Sequence, residues 1–432
     1  MTQLTNPPRR SPWYRRIGPG FITACVVIGP GSILTSSRVG ATYGYQHSWV
    51  VVVAVFCMLV YTLLAAEIGV VTQRSTGSLI AEHAGRWLAV MLGVSVFFIS
   101  AAFQFGNNLG VLSAIREFET PIQSVLPIEL DYLVVLLNLL AVLFLFLFHN
   151  LYRFVERLMM LFVGLMLICF AVNLVVAKPN VPQLVIGLIP PVWAIPRLGW
   201  QDLDVSLLGL VGTTFVVTAA YYQSFLVRQR GWTVAELPDG MLDVRVSVAI
   251  MATLTLMLIS TAAAVLQGMP LESLSDVANG LRPTFGATGH ALFCLGLFCA
   301  AYSSFLVNSM IGGFILADGL GWGNQPADLV PRIMTVIVLL TGMTVALLVS
   351  RAGFDPVPAI VAAQATTVVA APLVAGVLWW LANRRSVMGE RRIGWKLNWG
   401  AGFGFLMLLA MAWNTAAYRV IPQVREWLAN GA

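Results

Sequence analysis

The sequence predicts an all-α integral membrane protein of eleven spans, with its N-terminus inside and its first span broken. Three observations lead there. Of 432 residues, 58% are hydrophobic and only 10% are charged, against roughly 25% charged in a soluble domain. The apolar residues fall into many runs of about 20, the length that crosses a bilayer, and the loops between them are short. Gly29-Pro30-Gly31-Ser32 interrupts the first run near its middle. A single membrane bundle fits this pattern, and a soluble domain with an anchor does not.

Taken in order, the predicted spans are 17–44, 48–72, 87–114, 131–149, 154–177, 205–227, 243–267, 286–316, 329–350, 356–382 and 398–420. Orientation follows from the basic residues, which concentrate in cytoplasmic loops. With the N-terminus inside, that side receives Arg9, Arg10, Arg15, Arg16, Arg74, Arg86, Arg153, Arg157, Arg228, Arg230, Arg245, Arg332, Arg384, Arg385, Arg391, Arg392 and Lys396, which is 17 of 25. Trp13, Trp49, Trp87, Trp193 and Trp200 fall near predicted interfaces, as aromatic belts do. The net charge of +6 is therefore a topology signal, and no nucleic-acid partner is expected. Residues 1–432 read as one membrane domain: a cytoplasmic tail 1–16, a first repeat 17–177, a second repeat 205–382 and an eleventh helix 398–420. Each repeat holds five spans. An odd number forces the halves to insert with opposite orientation, the condition for an inverted repeat.

No signal-peptide cleavage site precedes the first span. The five cysteines (Cys25, Cys57, Cys169, Cys294, Cys299) lie in apolar runs without metal-ligand spacing and read as small buried residues. The four histidines (His47, His83, His149, His290) sit near span ends. No nucleophile–base pair, metal cluster or phosphate loop appears, so neither an enzyme nor a resident cofactor is expected.

The break carries the functional expectation. Pro30 has no N–H and clashes with the carbonyl one turn back, and flanking glycines loosen the helix further. Freed backbone groups cannot face lipid and are tolerated only in a cavity or against another helix. A broken span at bilayer depth is thus a candidate substrate site. The alternative is a proline kink that serves packing.

The ordered stretches Gly18-Pro19-Gly20, Gly29-Pro30-Gly31 and Gly40-Ala41 with Tyr43-Gly44-Tyr45 resemble the first helix of the Nramp transporters. Gly69-Val70-Val71-Thr72 is similar to the end of their second helix, Ala301-Tyr302-Ser303-Ser304 to their eighth, and Met388-Gly389 to the loop after their tenth. The resemblance implies a LeuT-type fold, a 5+5 inverted repeat plus one extra helix, with substrate between broken helices 1 and 6. It also implies a divalent-metal site built from Asp-Pro-Gly-Asn in helix 1 and a methionine in helix 6. Here those positions carry Gly29, Ser32 and Val216, and the family's following Pro-His pair falls on Val217 and Thr218. The acidic pair of its third helix, linked to proton movement, falls on Gln104 and Asn107. Pro358 or Ala359 stands near its polar ligand in helix 10.

These losses remove the anion and the sulfur that a transition metal prefers. The expected substrate site comprises Gly29, Pro30, Gly31, Ser32, Asn107, Thr213, Thr214, Val216 and Thr218. Arg38 is added as a cation at the outer mouth. Hydroxyl and amide donors, including Tyr221, Tyr222, Gln223 and Asn108, stand nearby, and for each an interhelical hydrogen bond is the plain alternative. The half-helix that starts near Ser32 aims N–H groups and a positive dipole end at the break. Together with Arg38 this favours a small anion such as bicarbonate, moved by a secondary active carrier. Sodium coupling through Ile28, Ser303 and Ser304 is a further expectation. The alternatives are a divalent cation (Mg2+ or Mn2+) held by a reduced ligand set, and a small neutral solute. A membrane sensor that has lost transport is a reading of another class. The partners are thus a small ion and the lipid bilayer of a bacterial inner membrane. Glu67, the one acid clearly inside a span, reads as functional or as an inner-mouth carboxylate paired with a loop arginine.

Overall fold

The computed structural model describes residues 19–116, 130–147, 151–190, 205–352 and 356–422. The tail 1–16 with its four arginines, Trp13, Trp193, Trp200 and His149 lie outside them. Every regular element among the described residues is helical. The first span is the pair α1 (Pro19–Val27) and α2 (Pro30–Tyr43), bent by 58° at the break. Then come α3 (Ser48–Thr72), the short α4 (Thr76–Ala84), α5 (Arg86–Arg116), α6 (Leu130–Leu147), α7 (Leu151–Ala177) and the short α8 (Val181–Gly187). The sixth span is again a pair, α9 (Val205–Thr214) and α10 (Val217–Arg230). It is followed by α11 (Leu237–Val265), α12 (Leu274–Leu320), α13 (Leu329–Ala352), α14 (Pro356–Asn383), α15 (Arg385–Met388) and α16 (Trp395–Thr415). Each of the eleven predicted spans falls on one of these helices or helix pairs.

The largest departure is at span eight. Helix α12 begins at Leu274, twelve residues before the predicted start at 286. Its first turn is held by a capping box, in which Ser273 accepts from the Asp276 N–H and Asp276 accepts from the Ser273 N–H. The leading segment is too polar to register as a span. It turns into the membrane at Gly286, whose φ of 65° is the left-handed conformation that favours glycine.

Helices α5 and α12 form the densest packing in the bundle. Small residues allow it: a Cβ on Gly319 would stand 2.5 Å from the Ala89 carbonyl, and one on Gly312 would stand 2.6 Å from Ser100 Cβ. Close backbone approach of this kind drives association in lipid, where the hydrophobic effect between helices is absent. The opposite faces of the outer helices stay apolar and exposed, as with Leu136, Leu139 and Leu143 on α6. Such surface is stable only against hydrocarbon, so the chain is a multi-pass integral membrane protein. All five cysteines are buried, and no two of them are joined in a disulfide.

The two broken spans lie side by side in opposite senses. Helix α2 packs on α9, and α1 packs on α10. With the N-terminus inside, α2 and α9 form the outer pair and α1 and α10 the inner pair. Both breaks therefore meet at the same depth.

Candidate functional site

At the first break, Gly29 is the N-cap of α2 in extended conformation (φ −106°, ψ −177°), and Pro30 opens the helix. Proline suits that position, where its missing N–H is no loss. The second break has no glycine or proline at its centre. Helix α9 ends at Thr214, Phe215 N–H still reaches the Val211 carbonyl at 2.7 Å, and Val216 becomes the N-cap of α10. Neither N-cap residue makes a side-chain capping bond. The antiparallel arrangement therefore brings four half-helix ends together. Helices α1 and α9 contribute carbonyl ends, and α2 and α10 contribute N–H ends.

Side chains around this point are polar, uncharged and mostly buried. Ser32 Oγ, Thr214 Oγ1 and Thr218 Oγ1 find no hydrogen-bond partner in the protein, and neither do the Nε2 atoms of Gln104 and Gln223. Partnerless polar atoms also occur elsewhere in the bundle, at Asn173 and Ser260 among others, so at the break they show a polar interior without by themselves marking a site. Thr213 is half-buried and donates to the Gly209 carbonyl at 2.8 Å. Its hydroxyl lies 3.1 Å from that of Thr35, which bonds the Gly31 carbonyl at 2.9 Å. Gly31 itself is exposed. Asn107 is buried and donates to Gln104 Oε1 at 3.3 Å. Gly110, one turn on, packs so closely on Pro30 that a Cβ there would stand 2.2 Å from the proline ring. Val216 lies at the second break and contributes backbone, its side chain being buried in the core.

Three expectations change on this geometry. Arg38 does not aim at the break. Its guanidinium donates to the Leu271 carbonyl at 2.5 Å and to the Glu272 carbonyl at 2.7 Å, just ahead of α12, with Asp276 in electrostatic reach. The residue ties α2 to the outer segment of α12 instead of standing as a free cation. Ser303 donates to the Ala300 carbonyl of its own helix at 3.1 Å, and the Ile28 N–H is bonded back to Ala24. Ser304 bridges to the broken span, donating to the Val26 carbonyl at 3.4 Å, and Ser303 also meets the Cys25 thiol on α1. Glu67 is half-buried at the inner end of α3 within electrostatic reach of Arg391, the inner-mouth reading.

The interhelical alternative holds for several polar residues. Gln223 Oε1 accepts from Thr23 at 2.6 Å, Asn308 donates to the Ser100 carbonyl at 2.8 Å, and Asn138 donates to Asn108 at 2.8 Å. Pro358 and Ala359 lie in α14. Sequence reasoning did not single out Thr23 or Thr35, because a lone threonine in an apolar run carries no signal.

The inner side is closed by polar contacts. Asp243 on α11 accepts the Gly20 N–H at 2.8 Å, capping α1 from another helix. Glu156 and Arg230 form an ion pair. Thr76 and Ser224 lie 2.8 Å apart, and Asp318 accepts the Gly77 N–H at 2.8 Å. The break is thus exposed at Gly31 on the α2–α9 side and sealed on the α1–α10 side. Among the described residues, no group of three histidine, cysteine or acidic side chains is placed to hold a metal ion.

Two antiparallel broken spans, with unpaired polar groups at their breaks and one side closed, define a secondary transporter of the LeuT type. The sequence profile described as natural resistance-associated macrophage protein-like matches residues 20–417. The chain belongs to this Nramp family. It is 27% identical over 407 residues to the divalent metal cation transporter MntH of Chromohalobacter salexigens, covering 90% of this chain and 87% of that one. To MntH of Deinococcus radiodurans it is 24% identical over 395 residues, covering 88% and 86%. Among solved structures, the Eremococcus coleocola manganese transporter superposes with a TM-score of 0.77 at 18% identity, over 95% of this chain and 89% of that one. MhsT in complex with L-phenylalanine gives a TM-score of 0.61 at 14% identity, over 91% and 98%. These likenesses bear on the fold.

Proposed function

We propose that the chain moves a divalent cation, Mg2+ or Mn2+, by alternating access, with a reduced ligand set that leaves the ion part of its water shell. The observation that carries this reading is the meeting of two carbonyl-bearing helix ends, from α1 and α9, beside the exposed Gly31. Carbonyl and hydroxyl oxygens are the ligands hard cations accept. The curated relatives named above are divalent metal cation transporters, which supports the same substrate class. Without a carboxylate or thioether at the break, the site lacks the charge that compensates a bare dication. Retained water reduces that cost, and Mg2+ is the ion that dehydrates most reluctantly. Arg38, the main support for anion attraction, is committed to two carbonyls.

A small anion such as bicarbonate is the second reading. It is favoured by the uncapped N-termini of α2 and α10, which are positive dipole ends. Sodium coupling would draw on Ile28, Ser303 and Ser304, with Ser304 held against the Val26 carbonyl. Uptake into proteoliposomes separates these readings. Mg2+ or Mn2+ flux that falls in Thr218→Val supports the cation. Bicarbonate flux without any divalent flux overturns it. Equal flux with sodium and with choline removes sodium coupling.

A further inference from the structure

Arg384, Arg385, Arg391, Arg392 and Lys396 fall between the end of α14 and the first turn of α16, on the cytoplasmic side. The segment that carries them is fixed in place. Met388 on α15 is buried in the core. Asn398 Oδ1 on α16 accepts from Trp379 Nε1 at 2.6 Å and from Asn383 Nδ2 at 3.0 Å, which ties α16 back to α14. The Arg384 guanidinium lies over the Trp380 ring at 4.8 Å. Arg385, Arg391, Arg392 and Lys396 are exposed. Glu390 pairs with Arg385 at 2.9 Å, and the half-buried Glu67 is within electrostatic reach of Arg391. The five cations thus face two acids among the described residues, on a frame that needs little further ordering to bind a partner.

Charge alone suits any anion, and the helix that follows narrows the choice. Trp395, Trp399, Phe403 and Leu406 recur at intervals of four, four and three, which places them on one face of α16. Each is at least half exposed. This stripe starts at the basic corner and runs about 16 Å along the helix, close to half of the roughly 30 Å hydrocarbon core. A cationic corner that continues into one leaflet's depth of apolar surface fits a molecule with an anionic head and a long apolar tail.

We propose that the α14–α16 corner binds an anionic phospholipid of the cytoplasmic leaflet, with the phosphate on Arg391, Arg392 and Lys396 and an acyl chain along the α16 stripe. Guanidinium and ammonium groups donate to phosphate oxygens. Each basic residue near the membrane surface adds to the attraction for anionic lipid, so three together separate an anionic from a zwitterionic headgroup. The site is apart from the break and stands whichever ion the protein carries.

The test uses the full chain in detergent, with phosphatidylglycerol, phosphatidylcholine or inorganic phosphate added. Native mass spectrometry reads lipid retention, and thermal unfolding reads stabilisation. Wild type is expected to retain phosphatidylglycerol over phosphatidylcholine and to melt higher with it, and inorganic phosphate is expected not to reproduce that rise. The variant with Arg391→Gln, Arg392→Gln and Lys396→Gln is expected to bind phosphatidylglycerol more weakly by on the order of 100-fold. Arg153→Gln with Arg157→Gln, which removes exposed cations from the same side at α7, is expected to stay near wild type. Equal retention of the two lipids by wild type overturns the proposal and needs no variant to fold. Undiminished binding in the α14–α16 variant overturns it, as does an equal loss in the α7 variant, since the attraction then belongs to the whole inner face. A melting rise with phosphate equal to that with phosphatidylglycerol makes the corner a soluble-anion site and overturns the lipid assignment.

Discussion

Asp243→Ala should unlatch the inner face of the protein. Asp243 is buried, and its Oδ2 takes the Gly20 N–H at 2.8 Å. A hydrogen bond to a charged group contributes about 1.5–3 kcal/mol. Alanine leaves the first turn of α1 without this acceptor, so the inner-closed state loses roughly that much relative to a state in which α1 swings away. At about 1.4 kcal/mol per tenfold, the open-to-closed ratio rises roughly 10- to 150-fold. Cys25 reports the change, because it lies on α1 and is fully buried, with its thiol against the Met159 carbonyl. In a background with the other four cysteines replaced, the maleimide labelling rate of Cys25 should rise by that factor, since labelling tracks the open fraction when closure is fast. Asp243→Asn keeps a neutral acceptor and should give a smaller rise, near the 0.5–1.5 kcal/mol of an ordinary hydrogen bond. A Cys25 rate unchanged in Asp243→Ala would show that this contact does not hold the inner face shut.

Other perturbations give separable results. Arg38→Ala should lower the melting temperature, because it frees the segment ahead of α12, and it should not alter any flux in proportion to substrate charge; selective loss of bicarbonate flux would restore Arg38 as an anion receptor. Gly110→Ala should cost about 1–3 kcal/mol by overpacking, as its methyl would meet the Pro30 ring; thermal unfolding at wild-type temperature would contradict the close approach of α5 to the break. Thr218→Val should leave stability unchanged or slightly raised, because its hydroxyl has no protein partner to lose, while substrate flux falls; a large drop in melting temperature with intact flux would make Thr218 structural.

The spans were legible because each is a long apolar run, and the first break because Gly-Pro-Gly cannot continue a helix. The second break was not legible from local chemistry. Phe215 and Val216 are compatible with a helix, and the interruption there falls where α9 packs on α2 and α3 and α10 packs on α3. Only the resemblance pointed to it. The leading segment of α12 was missed for the opposite reason, since residues 274–285 are too polar to count as a span. Arg38 was misread because its partners, Leu271 and Glu272, lie more than 230 residues away in sequence. Ser304 and Asn107 were named as site candidates, but their contact with Gly29 was not legible, because each comes from a helix remote in sequence. A substitution that deletes a ligand is visible in a sequence. The side chains that close over the deletion are visible only in the fold.

In the proposed function the break binds a divalent cation through neutral oxygens and retained water. Such a site lacks the soft ligands that rank transition metals above magnesium. Competition of Mg2+ against Mn2+ uptake in proteoliposomes tests this most directly. Mg2+ is expected to compete with Mn2+ at concentrations within about tenfold of each other. Manganese uptake that persists through a roughly thousandfold excess of Mg2+ would contradict it, as would bicarbonate uptake in a protein that moves neither metal.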